Sequence, residues 1–136
     1  MNQSQENIIA EDIFLDANIL LEIILSRDKE ALARRFLERH SEKFNISALT
    51  AHLLMHFGIN TVSLSILRKF LADYTILPLE DADFEWAFNN IRNQDFEDAL
   101  QIGIAIRNGC GKFITFDRNL FNAYKDLSSI QVQLLN

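Results

Sequence analysis

The feature that most constrains this chain is an apolar run that ends on an acid. Ile13-Phe14-Leu15 is too short for a helix and fits a strand buried on both faces, and it stops at Asp16. Beyond Asp16, Ile19, Leu20, Ile23 and Ile24 recur at helical spacing. Asp16 therefore stands where a strand hands over to a helix. In an open parallel sheet that is the edge at which ligands bind. Taken alone, an aspartate in this position is a helix cap, its carboxylate accepting from free backbone N–H groups. The grammar then recurs: Asp95 and Asp98 open a second helix, and Asp117 follows Lys112-Phe113-Ile114-Thr115-Phe116.

The rest of the chain reads as strands alternating with helices. After a polar lead-in over 1–11, a strand at 13–15 and a helix at 17–25, Ala33, Phe36, Leu37 and His40 form the apolar stripe of a helix over 29–40. Phe44 to Ser47 is a second strand, with a helix over 48–57 whose start Ser47 caps. A helix over 61–74 leads to a third strand over 75–79, which Pro78 places at a strand end or sheet edge. Helices over 81–91 and 95–107, a fourth strand over 112–116, a helix from Asp117 to about Lys125 and a strand over 130–135 complete the pattern. Phe14, Ile46, Ile114 and Phe116 are expected in the buried centre, with Ala99 and Gly103 allowing their helix close to the sheet. This order implies a three-layer α/β/α sandwich around a mainly parallel sheet of about five strands.

Composition narrows the setting. The 136 residues contain one proline and four glycines, leaving little room for linkers, so a single domain over 1–136 is expected, with 1–11 a loose tail. One cysteine, Cys110, rules out an internal disulfide and points to a reducing compartment. No apolar run approaches the roughly 18 residues of a membrane span, and the polar start is no signal peptide, so a cytoplasmic protein is expected. The net charge of −6 argues against a DNA reader that grips through a broad basic face. It does not exclude a nuclease that gathers carboxylates around a cation.

Three aspartates at junctions of one parallel topology converge at one edge, where like charges repel unless a cation or a proton intervenes. A hard divalent ion and phosphodiester chemistry are the natural counterpart. The ordered set Asp16-Ala17-Asn18, Ile46-Ser47-Ala48-Leu49-Thr50, Asp95-Phe96-Glu97-Asp98-Ala99-Leu100 and Ile114-Thr115-Phe116-Asp117 resembles the PIN-domain family over nearly the whole chain. The resemblance implies a compact α/β/α fold, Mg²⁺- or Mn²⁺-dependent cleavage of RNA, and in bacteria a toxin held silent by a small antitoxin, with a homodimer as a further expectation. It assigns Asp16, Asp98 and Asp117 as catalytic metal ligands and Asn18 and Thr115 as polar supports, beside Ser47 and Asp95 as caps.

The family's second acid, usually a glutamate, falls at His52 in this chain. An imidazole there suits Mn²⁺ or Zn²⁺ better than Mg²⁺. His52 and His56 stand four apart on one helix face, a spacing that more often reflects packing. Arg27, Arg34, Arg35 and Arg118 are the candidates for phosphate contact. Glu97 points away from Asp98 by helical angle and is expected in solvent. The alternative is a catalytically weak or inactive module of the same fold that binds RNA or a protein partner. A phosphoacceptor receiver domain is disfavoured, because Asp16 stands alone after the first strand and no lysine follows Ile130.

Overall fold

The computed structural model describes residues 12–40 and 42–136; the lead-in over 1–11 lies outside the described residues. The strands are β1 (Ile13–Leu15), β2 (Asn45–Ser47), β3 (Thr75–Leu77), β4 (Lys112–Thr115) and β5 (Gln131–Leu134). The helices are α1 (Ala17–Ile24), α2 (Glu30–Glu38), α3 (Ala48–Gly58), α4 (Leu64–Leu71), α5 (Asp81–Asn90), α6 (Phe96–Arg107) and α7 (Arg118–Tyr124). All strand pairs are parallel, in the order β3-β2-β1-β4-β5. The chain steps outward from β1 through β2 to β3, then returns to the other side of β1 for β4. The strand order thus reverses between β1 and β4, the kind of switch point that opens a ligand crevice beyond the strand ends.

Strand alternation sorts the core into two clusters, one on each face of the sheet. Ile13, Leu15, Ile46 and Ile114 pack with α1 to α4 through Ile19, Ile23, Phe36, Leu54 and Leu67. Phe14, Phe113 and Val132 pack with α5 to α7 through Ala87, Ile102, Leu120 and Tyr124. The rings of Phe14 and Phe113 stack at 5.2 Å across the β1–β4 pair. The result is the α/β/α sandwich, with β1 central and Phe14, Ile46 and Ile114 fully buried.

Several local expectations shift. β4 ends at Thr115, so Phe116 leaves the sheet half-buried instead of lying in a central strand. The expected helix over 61–74 is shorter, because Ser63 caps its start by accepting from the Ile66 N–H at 3.3 Å. β3 stops before Pro78 at the edge of the sheet, where a missing N–H costs no ladder bond.

Gly103 faces α5 and not the sheet: a Cβ there would lie 3.3 Å from Trp86 Cε3 and 3.5 Å from the Asp83 carbonyl oxygen. The small residue serves helix–helix approach. Gly103→Leu should drive its extra carbons into Trp86 and the α5 backbone and destabilise by about 1–3 kcal/mol. A urea denaturation curve with an unshifted midpoint would refute this packing.

Candidate active site

Asp16 leaves β1 in extended conformation and caps α1, its Oδ1 accepting from the Ala17 N–H at 2.7 Å. Its other oxygen accepts from the Thr115 hydroxyl at 2.8 Å and from Asn18 Nδ2 at 3.2 Å. Thr115 stands at the end of the neighbouring β4, and its hydroxyl oxygen accepts in turn from the Asp117 N–H at 2.9 Å and from Asn18 Nδ2 at 3.2 Å. Asn18 Oδ1 accepts from the Phe116 N–H at 3.2 Å. A fully engaged threonine hydroxyl and one amide side chain therefore lock the ends of β1 and β4 together. Asp117 caps α7, accepting from the N–H groups of Asn119 and Leu120 at 2.8 and 3.2 Å.

Asp98 arrives on α6. Asp95 caps that helix by accepting from the Asp98 N–H at 3.2 Å, as its spacing suggests. Asn93 Nδ2 donates to Asp98 Oδ2 at 3.0 Å, while Asn93 Oδ1 accepts from the Asp95 N–H at 3.2 Å and the Tyr124 hydroxyl at 3.4 Å. The buried Tyr124 thus steadies, through Asn93, the carboxylate it does not touch. Neither Asn93 nor Tyr124 stands out in the sequence. The Asn93-Gln94 turn beside Asp95 is the one local signal for the former.

Electrostatics tie the three acids together. Burial lifts Asp16 to about 6, with the charges of Asp117 and Glu97 adding to it against the hydrogen bonds from Thr115 and Ala17. Burial likewise lifts Asp98 to about 7, reinforced by Asp16, Asp95 and Asp117 and opposed by the bond from Asn93. No salt bridge among the described residues neutralises any of them. Glu97 is exposed, in line with the sequence, but its charge reaches Asp16 and so belongs to the same acidic edge. Asn93, Asp95, Phe96, Asp98, Asp117 and Asn119 line an open cleft of about 420 Å³.

His52 is not brought to this cleft. It is exposed on α3, its ring stacked on that of His56 at 6.0 Å, and no hydrogen bond joins it to an aspartate. The expectation that it acts with the aspartates has no support in this placement. The helix aims its first turn inward: Ser47 Oγ accepts from the Thr50 N–H at 3.0 Å, and Gln101 Nε2 donates to Thr50 Oγ1 at 2.9 Å. Gln101, one turn beyond Asp98, is buried with its Oε1 unpaired.

The four arginines separate. Arg34 is paired with Glu30 at 2.8 Å beside Tyr74, and Arg35 lies with Arg39 near Leu135. Arg118 borders Phe121 and β5. Of the four, Arg27 alone shares a cleft with a residue of the aspartate network, Asn18.

Among the described residues, no group of three His, Cys, Asp or Glu side chains converges closely enough to hold a metal ion. The donor chemistry is nonetheless that of a hard cation. The charged groups at this edge are carboxylates, and burial together with neighbouring acids holds two of them, Asp16 and Asp98, in a state that favours a proton or a dication.

A pH dependence follows. Asp16 and Asp98 titrate near 3.8 when unfolded and near 6 and 7 when folded, so between about pH 4 and pH 7 the folded chain binds more protons. Without metal, the contribution of these two groups to stability should be fully present below pH 4 and be lost as pH rises through 7. At about 1.4 kcal/mol per unit for each group, the loss summed over both is of the order of 5–10 kcal/mol. Thermal melts in chelator at pH 5 and pH 8 check this; equal or higher stability at pH 8 would contradict the raised values.

A family model described as the PIN domain matches residues 13–127. Among solved structures, a toxin–antitoxin complex from Klebsiella pneumoniae is similar with a TM-score of 0.74 at 17% identity, over 92% of this chain and 98% of that one. DNA-bound VapBC from Salmonella typhimurium is similar at TM-score 0.66 and 15% identity, over 93% and 100%. The sarcin–ricin loop cleaving toxin VapC20 of Mycobacterium tuberculosis is similar at TM-score 0.65 and 15% identity, over 83% and 95%. No curated protein sequence matches at a significant level. At these identities the structural likeness speaks for the fold.

Proposed function

The chain belongs to the PIN-domain family, and from that premise we propose that it is a Mg²⁺- or Mn²⁺-dependent endoribonuclease, the toxin of a toxin–antitoxin pair. The observation that carries this reading is the hydrogen-bonded junction of Asp16, Thr115 and Asn18 at the switch point of the sheet, where burial raises both Asp16 and Asp98 and the charges of Asp16 and Asp117 raise Asp98 further. Two carboxylates kept close and largely dry without a cationic partner are costly, and a bound dication removes that cost.

In this proposal Asp16, Asp98 and Asp117 hold the metal, directly or through waters. The ion, when bound, lowers the pKa of a water and neutralises charge on the phosphate oxygens. The remaining work belongs to the chain. Thr115 and Asn18 fix the Asp16 carboxylate from two sides, which sets its orientation before any ligand arrives. Asn93 occupies Asp98 Oδ2 and leaves Oδ1 for the cleft. Asp95 holds the first turn of α6, and with it the position of Asp98.

An antitoxin partner, a second copy of the chain and a cytoplasmic setting are part of the same proposal. One solved relative is described as a toxin–antitoxin complex and another as DNA-bound VapBC, and this chain exposes Phe57, Ile59, Leu64 and Ile66 around α3 and α4, with Phe84, Phe88 and Ile91 on or just after α5. Such apolar surface is available to protein partners. No helix among the described residues is long and apolar enough to cross a membrane.

The test is cleavage of single-stranded RNA with Mg²⁺, with Mn²⁺ and with EDTA. Cleavage that requires a metal and stops in chelator is expected. RNA left intact under every condition would favour the alternative, an inactive module of the same fold. Cleavage persisting in EDTA would overturn the metal assignment.

A further inference from the structure

A second cleft of about 370 Å³ is lined by Asn18, Glu22, Arg27, Asp28, Lys29 and Phe116. Its volume is within the range of small-ligand sites, roughly 300–1,000 Å³. Its floor is tied to the aspartate network: the Phe116 N–H donates to Asn18 Oδ1, the side chain that also holds Asp16. Phe116 is bracketed in sequence by Thr115 and Asp117, both in that network. Lys29 Nζ lies over the Phe116 ring at 5.0 Å and has no ion-pair partner among the described residues.

The wall is a built loop. Between α1 and α2 the chain turns at Ser26, whose φ of 49° places a non-glycine residue in the left-handed region. Glu22, half-buried, accepts from the Lys29 backbone N–H at 2.8 Å, and the Arg27 N–H donates to the Glu22 carbonyl at 2.9 Å. One oxygen of the Glu22 carboxylate, Oε1, is thereby occupied in holding the loop, and the other lies 3.9 Å from the Arg27 guanidinium. Arg27 and Lys29 are exposed at the rim. The cleft carries two cations, Arg27 and Lys29, with Lys29 over the aromatic face, beside the two acids Glu22 and Asp28, in a chain of net charge −6.

We propose that this cleft is a nucleotide subsite for single-stranded RNA flanking the acidic cleft: Phe116 stacks one base, and Lys29 and Arg27 take the adjoining phosphates. Stacking on an aromatic face with cations along the backbone is how single strands are held without sequence reading. An exposed cation–π contact is weak, so a base displaces Lys29 from the ring and the ammonium moves to the phosphate. Asn18 lines this cleft and bonds Asp16, so a strand seated on Phe116 continues toward Asp16. This inference rests on the ribonuclease reading for its choice of ligand, but its test does not depend on cleavage.

The experiment is fluorescence anisotropy of a labelled single-stranded RNA on the Asp98→Asn protein, titrated at several salt concentrations, beside cleavage assays on the otherwise wild-type chain. Arg27→Ala/Lys29→Ala should flatten the dependence of log affinity on log salt by about 1.4, at roughly 0.7 for each phosphate left without its cation. Phe116→Leu, which keeps an apolar side chain, should weaken binding by about 5- to 150-fold with the salt slope unchanged. Arg68→Ala/Lys69→Ala, an equal loss of charge lining neither cleft, should leave the slope as it was. A slope unaltered by Arg27→Ala/Lys29→Ala overturns the subsite even if RNA is cleaved. RNA that binds with the expected slopes but is never cleaved supports the subsite and overturns the nuclease. A chain that binds no RNA overturns both.

Discussion

Asp98→Asn should lower metal-supported RNA cleavage by more than about a hundredfold while making the metal-free protein more stable above pH 7. Replacing partners that merely orient a metal ligand costs about 10–100-fold, and loss of a ligand carboxylate should exceed that. The stability gain comes from the same side chain. Asp98 is raised to about 7 by burial and by Asp16, Asp95 and Asp117, so at pH 8 its ionised form is held against an unfavourable field. An amide removes the charge and can still accept from Asn93. The two effects run in opposite directions, which separates a functional carboxylate from a structural one. Cleavage rates and chelator melts on the same preparation measure both. Retained cleavage would remove Asp98 from the active site; a lower melting temperature at pH 8 would mean that its carboxylate stabilises the fold.

The second large effect lies away from the site. Asp83 is 1% exposed, and Arg107 clamps it with Nε on Oδ1 at 2.8 Å and Nη2 on Oδ2 at 3.0 Å. The same guanidinium donates to the Pro78 carbonyl at 2.7 Å and lies 3.4 Å from Glu80 Oε1. Asp83 also accepts from the Glu80 N–H, closing the cap of α5. Arg107 thus ties the end of α6 to the start of α5 and to the chain leaving β3. Arg107→Leu would strand a buried carboxylate and should destabilise by about 3–5 kcal/mol. Replacing both partners, Asp83→Leu with Arg107→Leu, should recover much of that loss, because the penalty belongs to the unpaired charge. Chemical denaturation of the single and double variants measures the difference. A single variant within about 1 kcal/mol of wild type would show the pair to be dispensable.

Local sequence determined a good deal of this molecule. Where apolar runs stop at Asp16, Ser47 and Asp117, the short side chain accepts from free N–H groups of the next helix, within two residues of the strand's end. Capping and function are not rivals at these positions. A residue that caps a helix following a parallel strand is necessarily at the ligand edge. Short apolar runs likewise placed Phe14, Ile46 and Ile114 in the core, because a strand of a parallel sheet covered by helices is buried on both faces.

What tertiary structure alone decided was direction and environment. Helical spacing groups His52 with His56 but cannot say which way that face turns; packing of α3 through Leu54 and Thr50 turns it to solvent. Small size marks Gly103 for close approach, but only the placement of α5 makes Trp86 its neighbour. Asp83 and Arg107 are separated by 24 positions and carry no mutual signal until two helices are laid together. The elevation of Asp16 and Asp98 is of the same kind. Their charges are written in the chain, but the desolvation that raises them comes from neighbours brought in by the fold, and it vanishes when the chain is extended in water.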